Sequence, residues 1–263
     1  MSEEPLVRMV GIVKRFGAVE ALKGVDFEVF PKEIVGLVGD NGAGKSTLMK
    51  ILTGAYSADR GEIFFEGERV HFTSPLESRE RGIEMIYQDL ALAEDVDIAG
   101  NIFLGREPRK RSLFALLLGL MDLRTMHAEA KRILGELETT ITSTKQKVRV
   151  LSGGQRKAVA IARATYWNAK LIIMDEPTAA LAIFEVQKVL ELVRKLRERG
   201  IAVIFISHNL QEVFAVADRI VVLRSGELAG VRRTCETSQE EIAQLMIVGK
   251  GRNSDGKGRV SPL

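Results

Sequence analysis

Little in this sequence would staple or anchor the folded chain. Its single cysteine, Cys235, excludes an intramolecular disulfide framework and fits a reducing cytosol, where one thiol stays free. The longest apolar run, Leu113 to Met121, has nine residues, far short of the roughly 18 to 20 that span a bilayer. Residues Met1 to Leu6 lack the apolar core of a signal peptide. The chain is therefore expected to be neither secreted nor membrane-spanning by itself. An excess of one charge is missing too: 38 Lys and Arg stand against 35 Asp and Glu, a formal net charge of +3. That bias is too weak to indicate a nucleic-acid partner. There is no internal repeat. What remains is ordinary globular material, 46% hydrophobic and 28% charged, and a chain of this size buries roughly 70 to 75% of its unfolded surface. A complete core then needs no disulfide or metal.

The order of apolar segments predicts an α/β fold. Leu6 to Val13 and Val25 to Phe30 read as short strands around a break at Phe16-Gly17, and Glu33 to Gly39 reads as a strand buried on both faces. A helix is expected from Lys45 to about Leu52, stopped by Gly54, then a hairpin over Gly61 to Phe72 around Glu66-Gly67-Glu68. From about Leu90 to Thr165 the spacing turns helical, most clearly in Met126, Ala130, Ile133, Leu134 and Leu137, which predicts an inserted helical lobe. Strands and helices then alternate again: Leu171 to Met174, a helix over Phe184 to Arg199, and Ile201 to Ile206. This alternation predicts a parallel sheet. A hairpin over Arg219 to Leu223 and Glu227 to Val231 precedes a short helix from about Ser238 to Ile247. The polar stretch after Gly249 is expected to be disordered.

Three segments carry chemistry. Gly39-Asp40-Asn41-Gly42-Ala43-Gly44-Lys45-Ser46-Thr47 fits the phosphate-loop pattern and lies between a predicted strand and helix, where the pattern must lie to work. Small residues let successive amides turn toward a phosphate, the helix N-terminus adds partial positive charge, and Lys45 reaches the outer phosphates. Ser46 is a candidate magnesium ligand. Leu171 to Glu176 is an apolar strand ending in two carboxylates. Asp175 would hold the magnesium shell, and Glu176 would orient or deprotonate an attacking water. In Leu151-Ser152-Gly153-Gly154-Gln155, Ser152 can cap the helix that follows, and the glycines at the helix start form a second anion cradle.

This last pentapeptide resembles the signature of the ATP-binding cassette (ABC) family, and the resemblance covers about residues 5 to 250. It implies a P-loop NTPase with a RecA-like core over about 1–90 and 166–250, an N-terminal antiparallel β subdomain, an α-helical subdomain over about 91–165, and a disordered tail at 251–263. In that family the signature of one cassette closes on the ATP held by another, so a single copy implies a head-to-tail dimer with a second copy of the chain. The resemblance further implies adenine stacking on Phe16, 29 residues before Lys45, a magnesium contact from Gln88, and γ-phosphate sensing by His208. Most cassettes carry an aspartate where this chain has Ala182, which puts coupling across the dimer in doubt. His71 and His127 match nothing in the pattern and are read as surface residues.

Gly39-Asp40-Asn41, Asn101-Ile102-Phe103-Leu104-Gly105-Arg106-Glu107 and Glu176-Pro177-Thr178-Ala179-Ala180-Leu181 are similar to the class serving ribose, xylose and fructose permeases. This implies a magnesium-dependent ATPase on the inner face of the cell membrane. Its partners would be transmembrane permease subunits and, indirectly, an extracytoplasmic sugar-binding protein. Arg109-Lys110-Arg111 with Leu113 to Met121 is either a permease contact or a buried helix of the lobe. An exporter subunit or an importer of another solute is the nearest alternative. A DNA-repair ATPase would need a long coiled coil between Lys45 and Leu151, and a non-hydrolysing regulator would lack Glu176 and His208.

Overall fold

The computed structural model describes residues 4–110, 120–166 and 168–249. The expected tail at 251–263 lies outside the described residues, as do Arg111 and residues 113–119 of the apolar run. Two sheets form the frame. In the first, β1 (Val7–Phe16), β2 (Val19–Val29), β4 (Arg60–Phe65) and β5 (Glu68–Val70) run antiparallel in the order β2-β1-β4-β5. The second contains β3 (Ile34–Val38), β6 (Ile83–Ile86), β7 (Leu171–Asp175), β8 (Ala202–Ile206), β9 (Arg219–Arg224) and β10 (Glu227–Arg233). Its order is β10-β9-β3-β8-β7-β6, parallel except for the β9–β10 hairpin.

The continuous apolar strands serve two cores at once. On β3, Ile34 and Val38 point into one and Val35 and Leu37 into the other. On β7, Ile172 and Met174 divide in the same way from Leu171 and Ile173. One core lies between the sheets and takes in Leu48, Met49, Ile51 and Leu52 of helix α1 (Lys45–Leu52). The other joins the parallel sheet to the helical segment, α3 (Ile98–Phe103), α4 (Leu123–Glu136) and α5 (Gly153–Tyr166), and to α6 (Ile183–Glu198). All five apolar positions of the expected α4 stripe are buried there. Burial of each large apolar side chain contributes roughly 1.5 to 3 kcal/mol, which fixes the strand ends where the chemistry sits.

Some elements depart from expectation. The β1–β2 hairpin is longer than its apolar pattern, because Lys14, Arg15, Glu20 and Lys23 are on paired strands whose outer part faces solvent. An Arg15–Glu20 ion pair of 2.9 Å spans that part. Helices α2 (Pro75–Glu80) and α7 (Leu210–Val216) are too short to show a helical period, and α8 (Gln239–Val248) starts where predicted. In β6 the apolar run is interrupted by Glu84, which is buried and pairs with Arg79 at 3.1 Å. His71 is exposed as expected. His127, read as a surface residue, is only partly exposed, with Nδ1 3.0 Å from the Thr144 hydroxyl, and ties α4 to the loop after it. Among the described residues no helix is long and apolar enough to cross a membrane.

Candidate functional site

The loop from Gly39 to Gly44 joins β3 to α1 against backbone that leaves no room for side chains. Gly39 has φ +150°, and a Cβ there would stand 2.2 Å from the Leu223 carbonyl oxygen. Gly44, the residue before α1, has φ +102°, and its Cβ would meet the Ala21 carbonyl at 2.9 Å. Both positions require glycine on two counts, sign of φ and space. Gly42 differs: with φ +80° it faces open space, as the rim of a cradle should. The Lys45 ammonium donates to the carbonyls of Gly39 at 2.6 Å and Asp40 at 3.0 Å. Burial lowers its pKa, and the nearby carboxylates of Glu176, Asp175 and Asp40 oppose that shift. The ammonium is thus held over the loop in a poorly hydrated place, where an added anion would find its charge only partly screened.

The acid pair lies at the end of β7. Asp175 stands level with Ile206 in the parallel register, and the Glu176 amide donates to the Ile206 carbonyl at 3.0 Å. The Ser46 hydroxyl lies 3.5 Å from Oδ2 of Asp175. Burial raises the Asp175 pKa, with the Ser46 hydrogen bond and the charges of Lys45 and Lys50 acting the other way. Hydroxyl and carboxylate side by side suit a hard cation that completes its shell from phosphate oxygens and water. Among the described residues, no group of three or more His, Cys, Asp and Glu could hold a metal without such help. Gln88 is exposed, two residues beyond Ile86, which pairs with Met174. It therefore lies at the same sheet end.

Glu176 has φ +49°, a left-handed turn, and its Oε2 is 2.8 Å from Nδ1 of His208. Strand ends 32 residues apart in sequence thereby form a carboxylate–imidazole pair. Sequence reasoning missed the group that braces them. Glu212 on α7 accepts from the hydroxyls of Thr178 and of Ser207, the latter at 3.1 Å, and from the side-chain Nδ2 of Asn209 at 3.1 Å. One carboxylate thus fixes the loops on both sides of the pair. Its only local signal was an acidic residue in the first turn of a helix capped by Asn209.

The signature segment is built differently. Ser152 and Gln155 form a reciprocal cap, the Gln155 amide donating to the Ser152 hydroxyl at 3.3 Å and the Ser152 amide to Oε1 of Gln155 at 3.1 Å. Glu185 reaches across from α6 and accepts from the Gly154 amide at 3.1 Å. The Ser152 hydroxyl and then the Gly154 amide hold the Glu185 carboxyl below the ordinary carboxylate range. No hydrogen bond joins this segment to the phosphate loop among the described residues. At the far end of α5, Arg163 donates to the carbonyls of Leu90 at 3.1 Å and Ala91 at 3.2 Å, just beyond Gln88. Phe16 is 44% exposed and makes an edge contact with Tyr56, ring centres 5.4 Å apart. The Lys14 ammonium lies over the Phe16 ring, 5.5 Å from its centre, and Tyr56 is a second ring that the sequence spacing did not suggest.

Comparison with known proteins gives a consistent result. The family described as "ABC transporter" matches residues 22–179. The chain is 48% identical to the xylose/arabinose import ATP-binding protein of Sulfolobus acidocaldarius over 92% of this chain and 93% of that one. It is 47% identical to the fructose import ATP-binding protein of Rhizobium meliloti over 89% of each. The ribose import ATP-binding protein of Jannaschia sp. is 42% identical, but the alignment takes in 94% of this chain and only 46% of that protein. Among solved structures, a nucleotide-free ATP-binding cassette from an ABC transporter superposes with a TM-score of 0.76 at 29% identity, over 93% and 96% of the two chains. A dimeric cassette in a post-hydrolysis state bound to ADP and Pi gives 0.71 at 26% identity, over 87% and 98%.

Proposed function

The chain belongs to the ABC transporter family, and from that premise we propose that it is the ATP-hydrolysing subunit of a carbohydrate importer. The observation that carries the chemistry is the 2.8 Å Glu176–His208 pair at the strand end beside Asp175 and the phosphate loop. Gly39 to Thr47 bind the phosphates of ATP, with Lys45 on the outer ones and Phe16 stacked on the base. Ser46, Asp175 and Gln88 hold magnesium, which when bound neutralises charge on the phosphates. Glu176 orients the attacking water and takes its proton. His208, held by Glu176, donates toward the γ-phosphate. Water oxygen bonds to the γ-phosphorus, the bond to the bridging oxygen breaks, and ADP and phosphate leave.

We assign residues 1–250 to one cassette, with 91–165 as its helical subdomain. Leu151 to Gln155 meet the ATP held by a second copy, so two chains close head to tail around two nucleotides. Closure then drives a separate permease pair, and hydrolysis resets it. What supports a sugar as cargo is the near full-length likeness to proteins named for xylose, arabinose and fructose import. The chain is placed at the membrane by its permease, and a sugar-binding protein acts on it indirectly.

The direct test is magnesium-dependent ATP hydrolysis by the purified chain, compared with Glu176→Gln and Lys45→Ala. Loss of turnover in both, with ATP binding retained only in Glu176→Gln, is the expected result. Turnover at wild-type rates in both variants rejects the site. Reconstitution with the permease and binding protein encoded beside it then asks which sugar raises the rate.

A further inference from the structure

Glu185 joins two helix N-termini. It sits in the first turn of α6, where Ala182 offers no side-chain oxygen to cap the helix. Its Oε2 is 3.4 Å from the Ala182 amide, and its Oε1 accepts from the Gly154 amide at 3.1 Å. The Ser152 hydroxyl bonds to the same carboxylate. The geometry around Gly154 is close: a Cβ there would lie 3.3 Å from Cβ and Oε1 of Glu185, while at Gly153 the nearest atom would be the Leu181 methyl at 2.6 Å. A side chain of the same subunit therefore lies over the signature glycines. The donors it engages, one hydroxyl and one amide at the start of a 14-residue helix, are those an incoming phosphate would need.

We infer that Glu185 is a resident anion of the signature segment, which occupies the γ-phosphate's place in the separate subunit and must leave it when a second copy closes with ATP. This rests on the head-to-tail reading given above. Two anions cannot share these donors, because like charges at contact distance repel. Glu185 has a route out: it is only half-buried, the Ala182 amide is already within reach, and Lys188 lies one turn further along α6. The carboxylate thus positions the segment while the subunits are apart and opposes their association until the more highly charged phosphate displaces it. Glu185 is a positioning residue and does not touch the reacting atoms.

The test compares the full chain carrying Glu176→Gln, used to prevent turnover, with the same chain carrying Glu185→Gln as well. Sedimentation at saturating ATP and magnesium should show the double variant half-dimeric at a roughly two- to five-fold lower protein concentration, the scale expected for one charge at a helix N-terminus. The nucleotide-free double variant should also melt at a lower temperature. A merely structural Glu185 would lower both stability and dimerisation, so an unchanged or weaker dimer overturns the inference. A second titration is independent of dimerisation. In a Lys45→Ala background, the Gly154 amide resonance should respond to inorganic phosphate at several-fold lower concentration with Glu185→Gln than without it, and equal responses overturn the inference. A Glu176→Gln parent that stays monomeric at saturating ATP means that the permease is needed to hold the pair together, and the phosphate titration then decides for or against the resident anion alone.

Discussion

The phosphate loop and the signature segment are both glycine-bearing turns that open a helix, yet they are secured in different ways. Gly39 presses against the Leu223 carbonyl of β9, and Gly44 against the Ala21 carbonyl and a Leu22 methyl of β2, with α1 buried between two sheets. Gly153 and Gly154 lie instead beneath side chains of Leu181 and Glu185. The first turn is defined mainly by carbonyls of the main chain that cannot yield, the second by side chains that can rotate. On the head-to-tail reading proposed above, a half-site made by the core is ready before ligand arrives, whereas one covered by side chains is conditional on whatever displaces them. Two halves of one reaction can thus differ in readiness within a single chain.

The sharpest test of this contrast is at the acid pair, which belongs to the rigid half. Glu176→Gln should lower hydrolysis by roughly 10² to 10⁴, the usual contribution of a general base, while ATP affinity by equilibrium binding stays near wild type. Next, the two kinds of glycine should respond unequally. Gly39→Ala should cost about 3 kcal/mol or more in urea unfolding, because its Cβ meets a fixed carbonyl, and Gly153→Ala about 1 kcal/mol, because a Leu181 methyl can swing away. Equal costs would erase the distinction between the two turns. A smaller effect is expected from Glu212→Ala, which leaves the reacting groups in place but frees the loops carrying them. Turnover should fall about ten-fold with little change in KM.

The smallest effect is on stability and runs opposite to function. Burial raises the folded-state pKa of Asp175, so its ionised form costs stability near neutral pH. That cost diminishes as pH falls through the raised value and is gone below the unfolded value of about 3.9. Asp175→Asn should therefore raise the Tm at pH 7, lose that advantage as pH falls toward 4, and abolish hydrolysis throughout. A Tm unaffected by the substitution at either pH would mean that the rigid half carries no electrostatic strain.

Much of the rigid half was legible in sequence because its signals are local. The phosphate loop is contiguous, β7 announces itself as an apolar run ending in Asp175-Glu176, and His208 follows another such run. The unread parts come from contacts that no periodicity records. Glu185 meets Gly154 from 31 residues away, and Glu212 meets Thr178 from 34. Short elements were hidden for a related reason: α2 and α7 hold too few residues to display a helical face, and Glu84 breaks the β6 pattern because its partner Arg79 lies on another element. The β1–β2 hairpin was read too short because Lys14, Arg15, Glu20 and Lys23 interrupt its apolar residues, although backbone pairing continues to Phe16 and Val19. His127 looked like a surface residue for want of any sign of Thr144.

Helix α5 has a mechanical consequence. Ser152 caps one end and Arg163 grips the Leu90 and Ala91 carbonyls near the other, about 16 Å apart at 1.5 Å per residue. A rod of that length does not bend under small loads, so it acts as a lever with two loaded tips. A displacement of the chain beyond Gln88 would be carried to the signature as a swing, and a clasp on the signature would be carried back beyond Gln88 in the same way. News of what happens at one tip needs no relay of side chains to reach the other.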